Sequence, residues 1–233
     1  MEQLVIVKIG GNIVDDDASL QLFLKSFAEI KQAKILVHGG GKLATRLAET
    51  MGIQQQMVEG RRITDAETLK VVTMVYAGYI NKSIVAQLQQ YGANSIGLTG
   101  ADANAVLAHK RKGKMPDAID YGFVGDIDQV NAAFFNKLIQ QSLVPVVSPI
   151  THDGKGQLLN TNADTIAQSI ATAMSSFYET ILVYSFEKKG VLLDINNADS
   201  VIPIIDSNYY QTLKANQQIF AGMIPKLDNA FVA

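Results

Sequence analysis

Lys34-Ile35-Leu36-Val37-His38-Gly39-Gly40-Gly41-Lys42 reads as a strand that delivers three glycines onto the start of a helix. The apolar, β-branched run is that of a strand buried on both faces. The glycines leave bare N–H groups at the positive end of a helix dipole, with no side chains in the way, which is an anion-binding design. A tight strand-to-helix turn alone rarely uses three consecutive glycines. The stretch is neither GxxxxGK[ST] nor GxGxxG, and no acidic residue stands where a ribose-binding carboxylate is expected. Outward from it, similar apolar runs recur at 4–9, 95–99, 143–150 and 180–184, with helix candidates at about 17–32, 42–51, 65–91, 131–142, 162–175 and 207–217. Alternation of this kind predicts an α/β chain with an open, mainly parallel central sheet sandwiched between helices. Lys8 and Gly40 then fall at the carboxyl ends of their strands, where ligands sit in such sheets.

Two segments break the rhythm. Residues 54–64 read as a hairpin turning at Glu59 and Gly60, and residues 104–130 as antiparallel additions or lids over one edge of the sheet. With no repeat and no low-complexity linker, the domain division is soft: a lobe of residues 1–160 and a second of 161–233.

The chain of 233 residues is 48% hydrophobic and 18% charged, with a net charge of −2, which provides no strong basic field for nucleic acid. It has no cysteine, and its three histidines lack HExxH spacing, so thiol chemistry is excluded and a zinc centre is not expected. The N-terminus has no basic segment before its apolar run, and no run of about 18 uncharged apolar residues spans a bilayer. A cytoplasmic protein without membrane or nucleic-acid partners is expected.

Four further constellations carry charge to places that need a reason. Lys8, inside an apolar strand, either snorkels from the strand end or meets a ligand; Gly10 and Gly11 behind it permit close approach of an anion to outward N–H groups. Arg61 and Arg62 are a solvated pair, or one turns inward to hold a carboxylate, and Thr64 or Asp65 caps the following helix. Asn160, Asn162 and Asp164 exceed what one helix cap needs, leaving Asp164 able to hold ammonium groups. Lys226 follows Gly222 and Pro225 into a helix whose first turn disfavours a cation, which points to an anionic partner.

These segments, in order and with sensible spacing, resemble the amino-acid kinase family: KIGG, VHGGG, GRRIT, the helix NKSIVAQL (81–88), GLTGAD (97–102), GFVGDI (122–127), PVVSPI, LNTNAD and GMIPKL. The resemblance implies that family's three-layer sandwich. It implies a transfer of the terminal phosphoryl group of ATP to the side-chain carboxylate of N-acetylglutamate, a step of arginine biosynthesis. Lys8 and Lys226 would stabilise the phosphoryl group in flight and Asp164 would orient both. Gly40, Gly41, Arg62 and Asn160 would hold the amino-acid substrate. Gly10, Gly11, Ser185, Phe186, Gly190, Phe220 and Gly222 would bind the nucleotide, with Mg²⁺ carried on its phosphates and no metal held by the protein. Helix 65–91, with Leu69, Val72, Val75, Tyr76, Tyr79 and Ile80, resembles the family's dimer helix and implies a homodimer.

The chain departs from the family pattern at 184–190, where Ser185 replaces the usual aspartate, one residue is added, and Phe186 either flanks the adenine or joins the core. It also ends sooner after the second lysine, and no N-terminal helix of the kind that accompanies hexamers and arginine feedback precedes Lys8. A sister kinase acting on N-succinylglutamate or another acylated amino acid, and a non-catalytic nucleotide or amino-acid sensor, are the alternatives.

Overall fold

The computed structural model describes residues 1–58, 61–112, 119–216, 218–219 and 223–232. In chain order its first half comprises β1 (Gln3–Ile9), α1 (Gly11–Val14), α2 (Asp17–Glu29), β2 (Ala33–His38), α3 (Gly41–Thr50), β3 (Met57–Val58), β4 (Arg61–Arg62), α4 (Ala66–Thr73), a π-helical segment (Met74–Ile80), α5 (Asn81–Gln90) and β5 (Ser95–Leu98). The second half comprises a short 3₁₀ turn, β6 (Val106–Lys110), β7 (Gly125–Val130), α6 (Ala132–Gln140), β8 (Val144–Val147), β9 (Ile150–His152), β10 (Leu158–Asn160), α7 (Ala163–Met174), β11 (Glu179–Ser185), α8 (Ser207–Ala215) and α9 (Ile224–Val232).

The expected apolar runs form one sheet in the order β11-β1-β2-β8-β5, with every neighbouring pair parallel. Side chains alternate across it, as a pleated strand requires. Val7, Ile9, Leu36 and Val146 pack against α2, α3 and the long helix from α4 through α5. Leu4, Ile6, Ile35, Val37 and Val147 pack against α6 and α7. Two helical layers thus enclose a mainly parallel sheet. Lys34 begins β2 by capping the end of α2: its ammonium donates to the carbonyls of Phe27, Ala28 and Ile30 at 3.0, 2.8 and 2.8 Å.

Three features differ from the sequence expectation. The run 143–150 is not one strand. β8 ends at Val147, and beyond Ser148 and Pro149, Ile150 opens a second sheet, ordered β10-β9-β6-β7. That sheet is mixed, not simply antiparallel, because β6 meets β9 in the parallel sense. Helix 65–91 is interrupted by the π-helical segment, and it buries Leu69, Val72, Val75, Tyr76 and Ile80 in the core. Of the residues thought surplus to one buried face, only Tyr79 stays outside, at 69% exposure, joined by Met74 at 53%. The hairpin of β3 and β4 forms, while its turn at Glu59 and Gly60 lies outside the described residues.

Candidate active site

Strand alternation decides where Lys8 points. It follows Leu4 and Ile6 on the α7 side of β1, where it is 7% exposed. Asn162 caps α7 by accepting the Thr165 N–H at 3.0 Å, which leaves Asp164 in the first turn free for other partners. Lys8 Nζ lies 2.8 Å from Asp164 Oδ1, and Lys226 Nζ, from the first turn of α9, lies 2.8 Å from Oδ2. One carboxylate therefore holds two ammonium groups from opposite ends of the sequence. Burial pushes the Lys8 pKa below its ordinary value, with the neighbouring Lys226 in the same direction and Asp164 opposing both. For Asp164, burial acts upward, but the two cations outweigh it and hold the carboxyl below the usual range.

A cavity of about 210 Å³ reaches the start of α7 at Asn162 and Ala163. Its walls include Gly40, Gly41, Arg62, Tyr76, Asn160 and Asn162, so the four residues expected to hold the amino acid converge on one space. Arg62 is the inward-turned arginine, 8% exposed. Its guanidinium donates to the Gly41 carbonyl at 3.0 Å, to Thr45 Oγ1 at 2.9 Å and to Gln55 Oε1. Burial pushes the neighbouring Tyr76 hydroxyl up, so it stays neutral. Asn160 donates to Thr64 Oγ1 at 3.0 Å, and Asp65, rather than Thr64, caps α4. Gly40 has φ +146°, and a Cβ there would overlap Cδ1 of Ile80, so the position demands glycine on both counts. The start of α3 is not wholly bare. Asp15 reaches across from α1 and accepts the Leu43 N–H at 3.1 Å.

A second, more apolar cavity of about 160 Å³ is bounded by Phe186, Glu187, Gly190, Leu192, Ile195, Met223 and Lys226. Phe186 lines this wall. Ser185 contributes its backbone: its carbonyl accepts the Gly10 N–H at 3.0 Å. That bond corrects the expectation of two outward N–H groups after Lys8, since parallel pairing of β1 with β11 carries one ladder step into the turn and consumes the first. Gly11 opens α1 beside Gly39, where Ile9 and His38 are register partners on adjacent strands. Phe220 and Gly222 lie outside the described residues.

The sequence profile of the "Amino acid kinase family" matches residues 3–233. The chain belongs to that family. Among curated members of the amino acid kinase family, acetylglutamate kinase of Phocaeicola vulgatus is 56% identical over 232 residues, covering 100% of this chain and 89% of the relative. Acetylglutamate kinase of Cytophaga hutchinsonii is 56% identical over 233 residues, covering 100% and 88%, and that of Methanopyrus kandleri is 36% identical, covering 98% and 89%. The same fold is seen in the crystal structure of smu.665 from Streptococcus mutans, with a TM-score of 0.78 at 24% identity over 97% of this chain and 88% of the other. It is seen again in N-acetylglutamate synthase from Neisseria gonorrhoeae, with a TM-score of 0.78 at 19% identity over 98% of this chain and 50% of the other.

Sequence reasoning missed Tyr76, Thr45, Gln55 and Asp15. Tyr76 was read as part of an apolar helix face. Thr45 and Gln55 act only by holding Arg62, and a pattern of one residue type at fixed spacing cannot mark a partner that the fold alone brings close. Asp15 had a signal, the acidic run 15–17, but nothing in the run separates a solvated acid from the one that turns inward.

Proposed function

We propose that this chain phosphorylates the side-chain carboxylate of N-acetylglutamate with ATP, giving an acyl phosphate and ADP. The observation that carries the reading is Asp164 holding Lys8 and Lys226 at 2.8 Å each, with Lys226 in the wall of one cavity and Asn162 and Ala163 in the wall of the other. The relatives named acetylglutamate kinase, which match over the whole chain, support the choice of acceptor.

The acceptor occupies the cavity at Arg62, whose guanidinium takes the free α-carboxylate, with Gly40, Gly41 and Asn160 beside it. The adenosine end occupies the cavity at Phe186 and Gly190, and the phosphates extend past Gly10 and Gly11 toward Lys8. A side-chain carboxylate oxygen attacks the γ-phosphorus, and the bond from phosphorus to the bridging oxygen breaks with its electron pair leaving on ADP. A carboxylate is already a competent nucleophile, so the step needs no general base. Charge accumulates on the oxygens in flight, and two preorganised ammonium groups stabilise it. Asp164 Oδ2 accepts from Lys226 and Oδ1 lies 2.8 Å from Lys8 Nζ, so this carboxylate serves the two cations, and Mg²⁺ would travel on the nucleotide phosphates.

In this reading residues 1–160 supply the acceptor site and residues 161–233 the nucleotide site, in a cytoplasmic homodimer whose contact includes Tyr79 and Met74. The direct test is ADP release by the purified protein with N-acetylglutamate, N-succinylglutamate, glutamate and aspartate in parallel. Turnover with N-acetylglutamate above the others is expected. Nucleotide binding without turnover of any acceptor would instead favour a sensor.

A further inference from the structure

Behind the Gly39–Gly41 turn lies a polar chain that the reaction does not use, buried at His38 and Asn81 and reaching the surface at Lys82. His38, the last residue of β2, is fully buried. Its Nδ1 lies 2.8 Å from the Gly39 carbonyl, and its Nε2 lies 3.1 Å from Asn81 Nδ2, at the start of α5. Asn81 Nδ2 also donates to the Val146 carbonyl at 3.0 Å, while its Oδ1 accepts from Lys82 Nζ at 3.1 Å, and Lys82 continues to the Gly97 carbonyl at 3.0 Å.

The chemistry of these partners fixes every proton. A carbonyl only accepts and an ammonium only donates, so the Asn81 amide has one possible orientation, with its NH₂ toward Val146 and His38. His38 Nε2 must therefore accept, which leaves the single ring proton of the neutral imidazole on Nδ1, donating to Gly39. Burial, assisted by the Lys82 charge, pushes the His38 pKa down to about 4, against the upward pull of the Gly39 carbonyl, so the ring stays neutral near pH 7. Two structural adjustments accommodate the chain. The π-helical segment ending at Ile80 rephases the helix just before Asn81, and Gly97 is glycine where any Cβ would overlap Asn81 Oδ1.

We infer that His38 is a positioning residue for the acceptor: held as its Nδ1–H tautomer by Asn81, it locks the peptide joining Gly39 and Gly40. That peptide is planar, so a carbonyl turned back to His38 sends the Gly40 N–H the opposite way, toward the cavity that Gly39 and Gly40 line. The Gly40 N–H has no acceptor among the described residues. It is a donor kept open for an anionic or carbonyl oxygen of the substrate. With glycines on both sides of it, this peptide would otherwise flip at little cost, so an external lock has something to do.

The inference rests on the cavity at Arg62 being the acceptor site, and the experiment separates the two. Calorimetric titration of the unaltered protein with N-acetylglutamate tests the cavity assignment. Two substitutions test the lock: His38→Asn places an amide N–H where Nδ1 stood, and His38→Gln places an amide oxygen where Nε2 stood, facing the Asn81 NH₂, with no N–H at the Nδ1 position. His38→Gln is expected to weaken N-acetylglutamate binding about tenfold, the loss of roughly one hydrogen bond, and His38→Asn to recover most of that, with KM for ATP steady in both. Equal losses, or better binding by the Gln variant, would make the chain a scaffold only and overturn the inference. Should both variants unfold, long-range ¹H–¹⁵N spectra of the unaltered protein decide. A neutral Nδ1–H ring across roughly pH 6 to 9 is expected, and an Nε2–H ring or an imidazolium overturns it.

Discussion

Asp164 faces two ammonium groups with one carboxylate, so the bridge carries a surplus cation before any substrate arrives. Lys8 and Lys226 should matter most where charge grows, in the transition state. Lys8→Ala and Lys226→Ala are each expected to lower kcat at a cost of about 3 kcal/mol in barrier, whereas Arg62→Ala chiefly raises KM for the acceptor. Asp164→Asn should also lower kcat, because both lysines lose their common anchor. Steady-state kinetics check the split: an unchanged kcat with only KM for ATP raised in Lys226→Ala would make that lysine a ground-state phosphate binder. The pH profile gives a second test. Burial lowers the Lys8 pKa from 10.5, and catalysis needs the charged form, so kcat should fall as pH rises through a value below that of an ordinary lysine. In Lys8→Arg the guanidinium stays charged and this limb should vanish from whatever rate remains; its persistence would clear Lys8 as the source.

At the level of elements, the central strands were legible because each is short, apolar and bounded by Gly, Ser or Pro. Burial on both faces demands that composition of β2 and β8, while β11 at the sheet edge keeps Ile181 and Val183 partly exposed. Lys8, Asp164 and Lys226 were legible because each stands against a local preference: a cation in an apolar strand, an acid beyond the cap, a cation at a helix N-terminus. The π-helical segment was not legible, since the apolar face of 65–91 reads smoothly; within it Tyr76 and Ile80 lie against Gly40. The break after Val147 was misread because 143–150 is apolar but for Ser148, and a proline did not mark it: Pro145 stands within β8 while Pro149 lies between two sheets. The fit of the glycine turn beneath Ile80 can be tested on its own. Gly40→Ala should cost on the order of 1–3 kcal/mol in stability, by urea unfolding, from backbone strain at φ +146° together with the overlap on Ile80. A neutral result would mean that the turn relaxes freely.

For the whole molecule, the outward pair Met74 and Tyr79 sits on a helix whose other large apolar residues pack inward, with Met51 at 53% and Met57 at 57% exposure elsewhere on the surface. Apolar exposure on one helix face is what an interface between copies would cover. Light scattering is expected to give twice the chain mass at micromolar concentration, and Tyr79→Glu to shift it toward monomer; a monomer in the unaltered protein would reject the homodimer. The placement of the three critical turns has a further consequence. The 39–41 turn follows β2, Gly10 follows β1 just after Lys8, and the 186–190 segment follows β11, and these strands are immediate neighbours. Strands in a sheet are held about 4.8 Å apart by their hydrogen bonds, so the span from acceptor cavity to nucleotide cavity is a ruler with two fixed divisions. Such a ruler cannot shorten for a smaller acceptor. A substrate with one methylene fewer would leave its carboxylate short of the phosphorus, and a misplacement of about 1 Å can cost on the order of a hundredfold in rate. Acceptor length would then be metered by the backbone of the sheet, with the pocket walls left to choose among acyl groups.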